Sequence, residues 1–174
     1  MNCDITRCAT EMYAQKYIEF LIEHYKQLKL PYPFPVLLGF VASPVTLGGE
    51  TFLIYNDDYE VVGAFGYISG TGENEYEDKH VIQIQAALIL EEYRKTSLFL
   101  KGLQYLTQYI AQLNQTVKEV RFWTPAQDEL RRLLAKLTLD RNTHETVFGQ
   151  LDEYRVSFSA LQAYASKFRQ IRYF

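Results

Sequence analysis

"AALILEEYRKTSLFLKGLQYLTQYI", residues 86–110, begins as an apolar strand, crosses a short charged turn and leaves as an amphipathic helix. A strand that turns straight into a helix aims the helix's unpaired N–H groups at whatever precedes it, and those groups together with the helix dipole suit an anion. Arg94, Lys95, Thr96 and Ser97 are residue types that favour one. Phe99 stands in the first helical turn, where a phosphate loop ordinarily has something small. The orientation of that ring therefore decides whether the cradle is open.

Immediately upstream, "VIQIQAALIL" (81–90) alternates from Val81 to Gln85 and then becomes apolar on both faces, as a strand entering the middle of a sheet does. "TFLIYNDDYEVVGAFGYISG" (51–70) predicts a hairpin around Asn56, Asp57 and Asp58, whose side chains bond their own backbone in turns. The acidic run Glu73, Glu75, Glu77 and Asp78 suits either a solvated loop or a lure for a cationic amine. Apolar residues at helical spacing predict an amphipathic helix from Thr10 to about Leu28. Prolines 31, 33 and 35 predict an extended loop carrying Tyr32 and Phe34 outward, as walls of a pocket or as packing.

Downstream, Phe99, Leu103, Leu106 and Ile110 mark the expected buried stripe of a helix ending near Leu113, followed by a strand in "VKEVRFW" (117–123). Thr124 as cap, Pro125 at the first helical position and Gln127 predict another helix start, with Leu130, Leu133, Leu134 and Leu137 buried. "HETVFGQLDEYRVSFS" (144–159) predicts two short strands, and a last helix runs from about Ala160 to Ile171. The expected class is α+β (mixed α/β), a central mixed, mostly antiparallel sheet flanked by helices. With 174 residues the expectation is one domain over 1–174, its core at about 10–158 and an additional C-terminal helix at about 160–172.

A formal charge of -3 and a sequence pI near 5.7 give no electrostatic footprint for nucleic acid. No segment approaches the roughly 20 apolar residues of a membrane span, and the N-terminus has no apolar leader, so a cytoplasmic protein is expected. Cys3 and Cys8 are too few for a disulfide framework, and free thiols are expected. His24 and His144 lie far apart without neighbouring ligand types, so no metal site is expected.

The element order, together with "EEYRKTSLFLKGLQYL" (91–106), resembles the GNAT superfamily of acyl-CoA-dependent N-acyltransferases. In that family the turn reads [R/Q]-x-x-G-x-[G/A]; Arg94 falls on its first position, Ser97 on the first glycine and Phe99 on the last small residue. "QDELRRLLAKLTL" (127–139) is similar to the family's NxxAxxLYxKLGF helix, with Gln127 at the asparagine, Leu133, Lys136 and Leu137 in step, Leu134 at the tyrosine that often serves as general acid, and Leu139 at the closing aromatic.

The resemblance, which covers about residues 50–158, implies a transfer from acetyl-CoA or another acyl-CoA to a primary amine on a small molecule or a protein. It leaves monomer and homodimer open. It implies that Leu88, Ile89 and Leu90 offer main-chain groups to the pantetheine arm, an N–H near Ile89 holds the oxyanion, and the amides of Lys95, Thr96, Ser97, Leu98 and Phe99 meet the pyrophosphate beside Arg94. It assigns no catalytic residue. Gln83 and Gln85 occupy a strand face where the family often has a carboxylate base, but glutamine does not titrate and only positions water; His80 is a solvated loop residue or a base. The rival reading is a catalytically silent module that keeps the fold for docking or sensing.

Overall fold

In a computed structural model that describes residues 3–94, 96–138, 140–168 and 172–174, the chain runs β1 (Asp4–Arg7), α1 (Glu11–Glu23), α2 (Phe34–Thr46), β2 (Glu50–Tyr55), β3 (Val61–Ser69), β4 (Val81–Ile89), α3 (Leu98–Ala111), β5 (Glu119–Pro125), α4 (Asp128–Leu134), β6 (Arg141–Thr146), β7 (Gly149–Ser157) and α5 (Phe158–Ser166). The strands form one sheet in the order β1-β2-β3-β4-β5-β7-β6, antiparallel throughout except where β4 and β5 run parallel. This is the mixed, mostly antiparallel α+β arrangement expected from the sequence. A cluster around Phe52, Phe65, Leu98, Leu106, Ile110 and Leu161 fills one face beneath α3 and α5. Tyr17, Leu21, Val41, Leu53, Ala64 and Leu88 fill the other, beneath α1 and α2.

The hairpin at 51–70 forms as read, and Asn56 Oδ1 accepts from the amides of Asp58 at 3.0 Å and Glu60 at 2.9 Å. Thr10 caps α1 through the Tyr13 amide. The helix stops at Glu23, and Tyr25–Leu28 form a separate 3-10 turn. Three other expectations are corrected. Residues 34–46 are helical, not extended: Pro33 is the N-cap and Pro35 lies in the first turn, where no N–H is required. Pro44, inside α2, cannot donate to the Phe40 carbonyl, and the Ser43 hydroxyl bonds that oxygen instead at 2.9 Å. Thr124 and Pro125 belong to β5, because the ladder with β7 continues to the Pro125–Leu151 pair, so α4 starts at Asp128 with Gln127 as cap. Of the leucine stripe in α4 only Leu134 is buried, while Leu133 is 37% exposed.

β1 has no counterpart in the sequence reading; it is ordered by pairing with β2 from Asp4–Tyr55 to Arg7–Phe52. The final helix begins at Phe158 and ends at Ser166, short of the expected limit; Ile171 lies outside the described residues.

Candidate functional site

The site is built on an interruption in β4. Gly66 pairs with Ala86 and Tyr67 with Ile84, so Gln85 is an extra residue, a β-bulge. It exchanges the two faces of the strand: Ile82 and Ile84 pack beneath α3, whereas Ala86 and Leu88 pack beneath α1 and α2. Gly66 opposite the bulge has no room for a side chain, since a Cβ there would meet the Tyr17 hydroxyl at 2.5 Å.

At the same level β4 and β5 part. Their parallel ladder runs from Val81–Glu119 to Ile84–Phe122 and stops, although β4 continues to Ile89 and β5 to Pro125. Beyond Phe122 the residues of β5 stay paired with β7. A bulge bends its strand and sharpens the local twist, which is the physical reason for the divergence. Ala87, in register with Phe65 and therefore on the α3 side, is the only exposed residue of β4.

Strand parity decides which main-chain groups face the gap. The Leu90 amide donates to the Val62 carbonyl at 3.0 Å, so Leu90, and with it Leu88, turn their main-chain groups toward β3. Ala87 and Ile89 turn theirs toward the gap. Of Leu88, Ile89 and Leu90, Ile89 is therefore the one whose main-chain groups face the gap, alongside those of Ala87, which the sequence reading passed over.

The turn into α3 is ordered by its own side chains. The Thr96 hydroxyl donates to the Tyr93 carbonyl at 2.6 Å and accepts from the Leu98 amide at 3.3 Å, while Ser97 is the N-cap without a side-chain cap bond. Among the described residues the Leu100 amide has no acceptor, as first-turn amides of a helix do not. Arg94 folds back: its Nε donates to the Ile89 carbonyl at 3.0 Å and its Nη2 to the Gln27 carbonyl at 3.1 Å. Lys95 lies outside the described residues, as does Leu139. Leu98, not Phe99, begins the buried stripe of α3; Leu98 is 1% exposed and Phe99 37%. The aromatic ring is therefore outside the core.

On the face away from α3, the diverging arm of β5, β7 and β6 carries a polar cluster. Gln83, Arg121 and Arg155 share that face, as do Trp123 and Glu153 in the next pair. Gln83 does not point free; its Nε2 donates to the Gly70 carbonyl at 2.7 Å. Glu153 is only 7% exposed and accepts from His144 Nε2 at 3.0 Å and Arg155 Nε at 3.1 Å. Burial pushes its carboxyl up, but the hydrogen bonds from His144 and Arg155 outweigh this and hold it below the usual carboxylate range. Arg121 is paired with Glu119.

His144 is thus inside β6 and bonded to a carboxylate that the sequence reading did not place beside it. The signal that could have found it is the hairpin itself, for a two-residue turn at Val147 and Phe148 brings residues 144 and 153 to one face. His80 is exposed at the far end of β4. Asp78 turns inward from the acidic run and binds the Thr71 amide at 2.6 Å and hydroxyl at 2.8 Å. Segment 27–31 spans the open ends of the diverging strands: Gln27 Oε1 accepts from the Glu91 amide at 3.1 Å, and the Pro31 carbonyl from Thr146 Oγ1 at 3.4 Å. Two cavities, of about 340 and 570 Å³, both adjoin β1 at Asp4 and Tyr59, on the other side of β2 and β3 from the gap. They share no residue with it.

No family model matches the sequence, and no curated protein matches it. Solved structures match its fold. An acetyltransferase of the GNAT family from Staphylococcus aureus Mu50 superposes with a TM-score of 0.62 at 13% identity, covering 90% of this chain and 99% of that one. A spermidine N-acetyltransferase chimera from Vibrio cholerae gives 0.62 at 11% identity, covering 90% and 97%. A ribosomal α-N-protein acetyltransferase in complex with coenzyme A gives 0.63 at 11% identity, covering 92% and 96%. Strand order, the bulged and parted central strand and these superpositions agree that the chain has the fold of the GNAT superfamily.

Proposed function

We propose that the chain, acting as one domain over residues 1–174, is an N-acyltransferase that uses an acyl-CoA, acetyl-CoA in the simplest case, to acylate a primary amine. The observation that carries this reading is the gap between β4 and β5, where two strands in the middle of a sheet run on without each other and leave Ala87 exposed. A sheet interior without a main-chain partner is costly unless something else supplies the hydrogen bonds. A pantetheine arm carries amide groups able to do so. The neighbours named as acetyltransferases of spermidine and of a ribosomal protein support both acceptor classes, a small-molecule amine and a protein amine.

The residues present fit the coenzyme. Ala87 and Ile89 would hold the arm through their main chain, and the methyl of Ala87 leaves room for close approach. The first-turn amides of α3 would hold the pyrophosphate. The Phe99 ring, exposed rather than packed, is free to turn aside, and Arg94 is fastened only by hydrogen bonds at an exposed site. When bound, the coenzyme supplies an activated thioester. The chain's part is then to align the amine and to offer the Ile89 N–H to negative charge developing on the carbonyl oxygen.

Calorimetry with acetyl-CoA on the wild type and on Ala87→Phe tests the reading. Saturable binding by the wild type, lost in the variant while its thermal midpoint stays near the parent's, is expected. No heat from the wild type at millimolar ligand would contradict it and favour the silent module.

A further inference from the structure

The gap and the α3 amides lie on one face of the sheet, so an acceptor must come from the other, over Arg121, Trp123, Glu153 and His144. An ammonium ion has to lose a proton before its nitrogen can attack, and near neutral pH imidazole is the side chain suited to take it. Gln83 does not titrate and is engaged with Gly70. Glu119 is paired with Arg121. His24 packs on Phe20 with the rings tilted at 55° at the end of α1, and His80 lies at the opposite end of β4. His144, opposite Leu151 and so level with Pro125, lies at the open ends of the parted strands.

We infer that His144 takes the proton from the acceptor ammonium, held in orientation for that task by the buried carboxylate of Glu153. The inference rests on the acyltransferase reading. An ionised carboxylate only accepts hydrogen bonds, so Nε2, 3.0 Å from Glu153 Oε2, carries the hydrogen and Nδ1 is left as the basic atom. The side chain of His144 is 52% exposed, open to an incoming amine, while that of Glu153 is 9% exposed. β6 stands two strand spacings, roughly 10 Å, beyond β5, so a proton passing from an ammonium over Trp123 to Nδ1 crosses ordered water. The step balances: R–NH3+ and neutral imidazole give R–NH2 and imidazolium, which returns its proton to solvent. The charged groups facing the pair are Arg155 on its own strand and Arg121 with Glu119 on β5. Glu153 is a positioning residue, since it acts through the imidazole.

The test is the pH dependence of CoA release from acetyl-CoA with spermidine and with a short peptide bearing a free N-terminus, for wild type, His144→Gln and Glu153→Gln. For the better acceptor, the wild type is expected to show a limb in kcat/KM that rises with one ionisation. His144→Gln should lose that limb and fall about 100-fold below it, with KM for acetyl-CoA unchanged and activity returning at alkaline pH where the amine is already neutral. Glu153→Gln should displace the limb and lower kcat about tenfold. Nitrogen-15 spectra of the wild-type imidazole should show the hydrogen on Nε2, a readout independent of turnover and of whether Glu153→Gln folds. A wild-type profile retained in His144→Gln, or the hydrogen on Nδ1, would overturn the inference while leaving the acyltransferase reading intact. Binding of acetyl-CoA without transfer to either amine would overturn it as well. Failure to bind acetyl-CoA would instead remove the reading beneath it.

Discussion

Leu98 and Phe99 are adjacent, both large and apolar, and differ by one step of about 100° around the same helix. The sequence gives each a place in an i, i+4 stripe, with Leu98 reaching Gly102 and Phe99 reaching Leu103, and the larger ring made Phe99 the natural first member. The structure buries Leu98 instead. Leu98→Ala is therefore expected to lower stability by about 2–5 kcal/mol and Phe99→Ala by less than about 1 kcal/mol in chemical denaturation. The reverse ranking would mean that the ring packs inward and the helix is rotated. Tyr17 is the other instructive residue. Its side chain is fully buried against Gly66, its hydroxyl has no partner among the described residues, and burial, then the nearby Cys8, push its pKa up. Removing a buried unpartnered hydroxyl relieves a desolvation cost of about 1–3 kcal/mol, so Tyr17→Phe should leave the thermal midpoint unchanged or raise it. A clear fall would reveal a partner for the hydroxyl.

Elements were legible where their period was unbroken and hidden where pairing or a cap overrode local preference. α1, α3 and the β2–β3 hairpin follow from spacing alone. β1 does not, because four residues with one aliphatic side chain, Ile5, become a strand only against β2. α2 was hidden by prolines whose local cost vanishes at a helix start and, at Pro44, is offset by a neighbouring serine. The change in β4 from alternation to continuous apolarity was visible at Gln85. That it is a bulge, and that β5 departs there, depends on β3 and β7, and neither is written in the strand itself. The pairs that tie β6 and α4 to β7, His144 with Glu153, Thr143 with Asp152 and Arg131 with Asp152, were equally hidden, being nine or more residues apart. Arg131 on α4 binds the fully buried Asp152 through Nε at 2.7 Å and Nη2 at 3.0 Å, and Thr143 adds a bond at 2.7 Å. Arg131→Ala leaves that carboxylate without its cation. A loss of about 3 kcal/mol is expected in urea unfolding, with Asp152→Asn in the Arg131→Ala background recovering part of it. A loss under about 1 kcal/mol would mean that solvent reaches Asp152.

For the molecule as a whole, carboxylates tie the loops and arms to the sheet. A hydrogen bond from Arg131 is the largest influence lowering Asp152. For Glu153 and Asp78 burial acts upward but is outweighed, by His144 and Arg155 in one case and by Thr71 and Asn74 in the other, with Asp78 held at about 2. Groups whose folded pKa lies below the unfolded one stabilise the fold above the ordinary carboxylate value near 4 and lose that contribution as the pH falls through the folded value. Thermal midpoints should therefore be level above about pH 5 and decline between about pH 4 and 2; a midpoint that rises on acidification would contradict these pairings. The fold could be read ahead of the structure because element order survives even where no family model matches the sequence. The site could be read only in part, because it consists of main-chain groups freed by a bulge and of side chains brought together by a hairpin. No helix among the described residues is long and apolar enough to cross a membrane. The most direct measurement is the amide spectrum titrated with coenzyme A. The resonances of Ala87, Ile89 and Leu100 are expected to move together with one saturation curve, whereas shifts gathered around Asp4 and Tyr59 beside β1, or none at any residue, would contradict the claim that the parted strands hold the coenzyme.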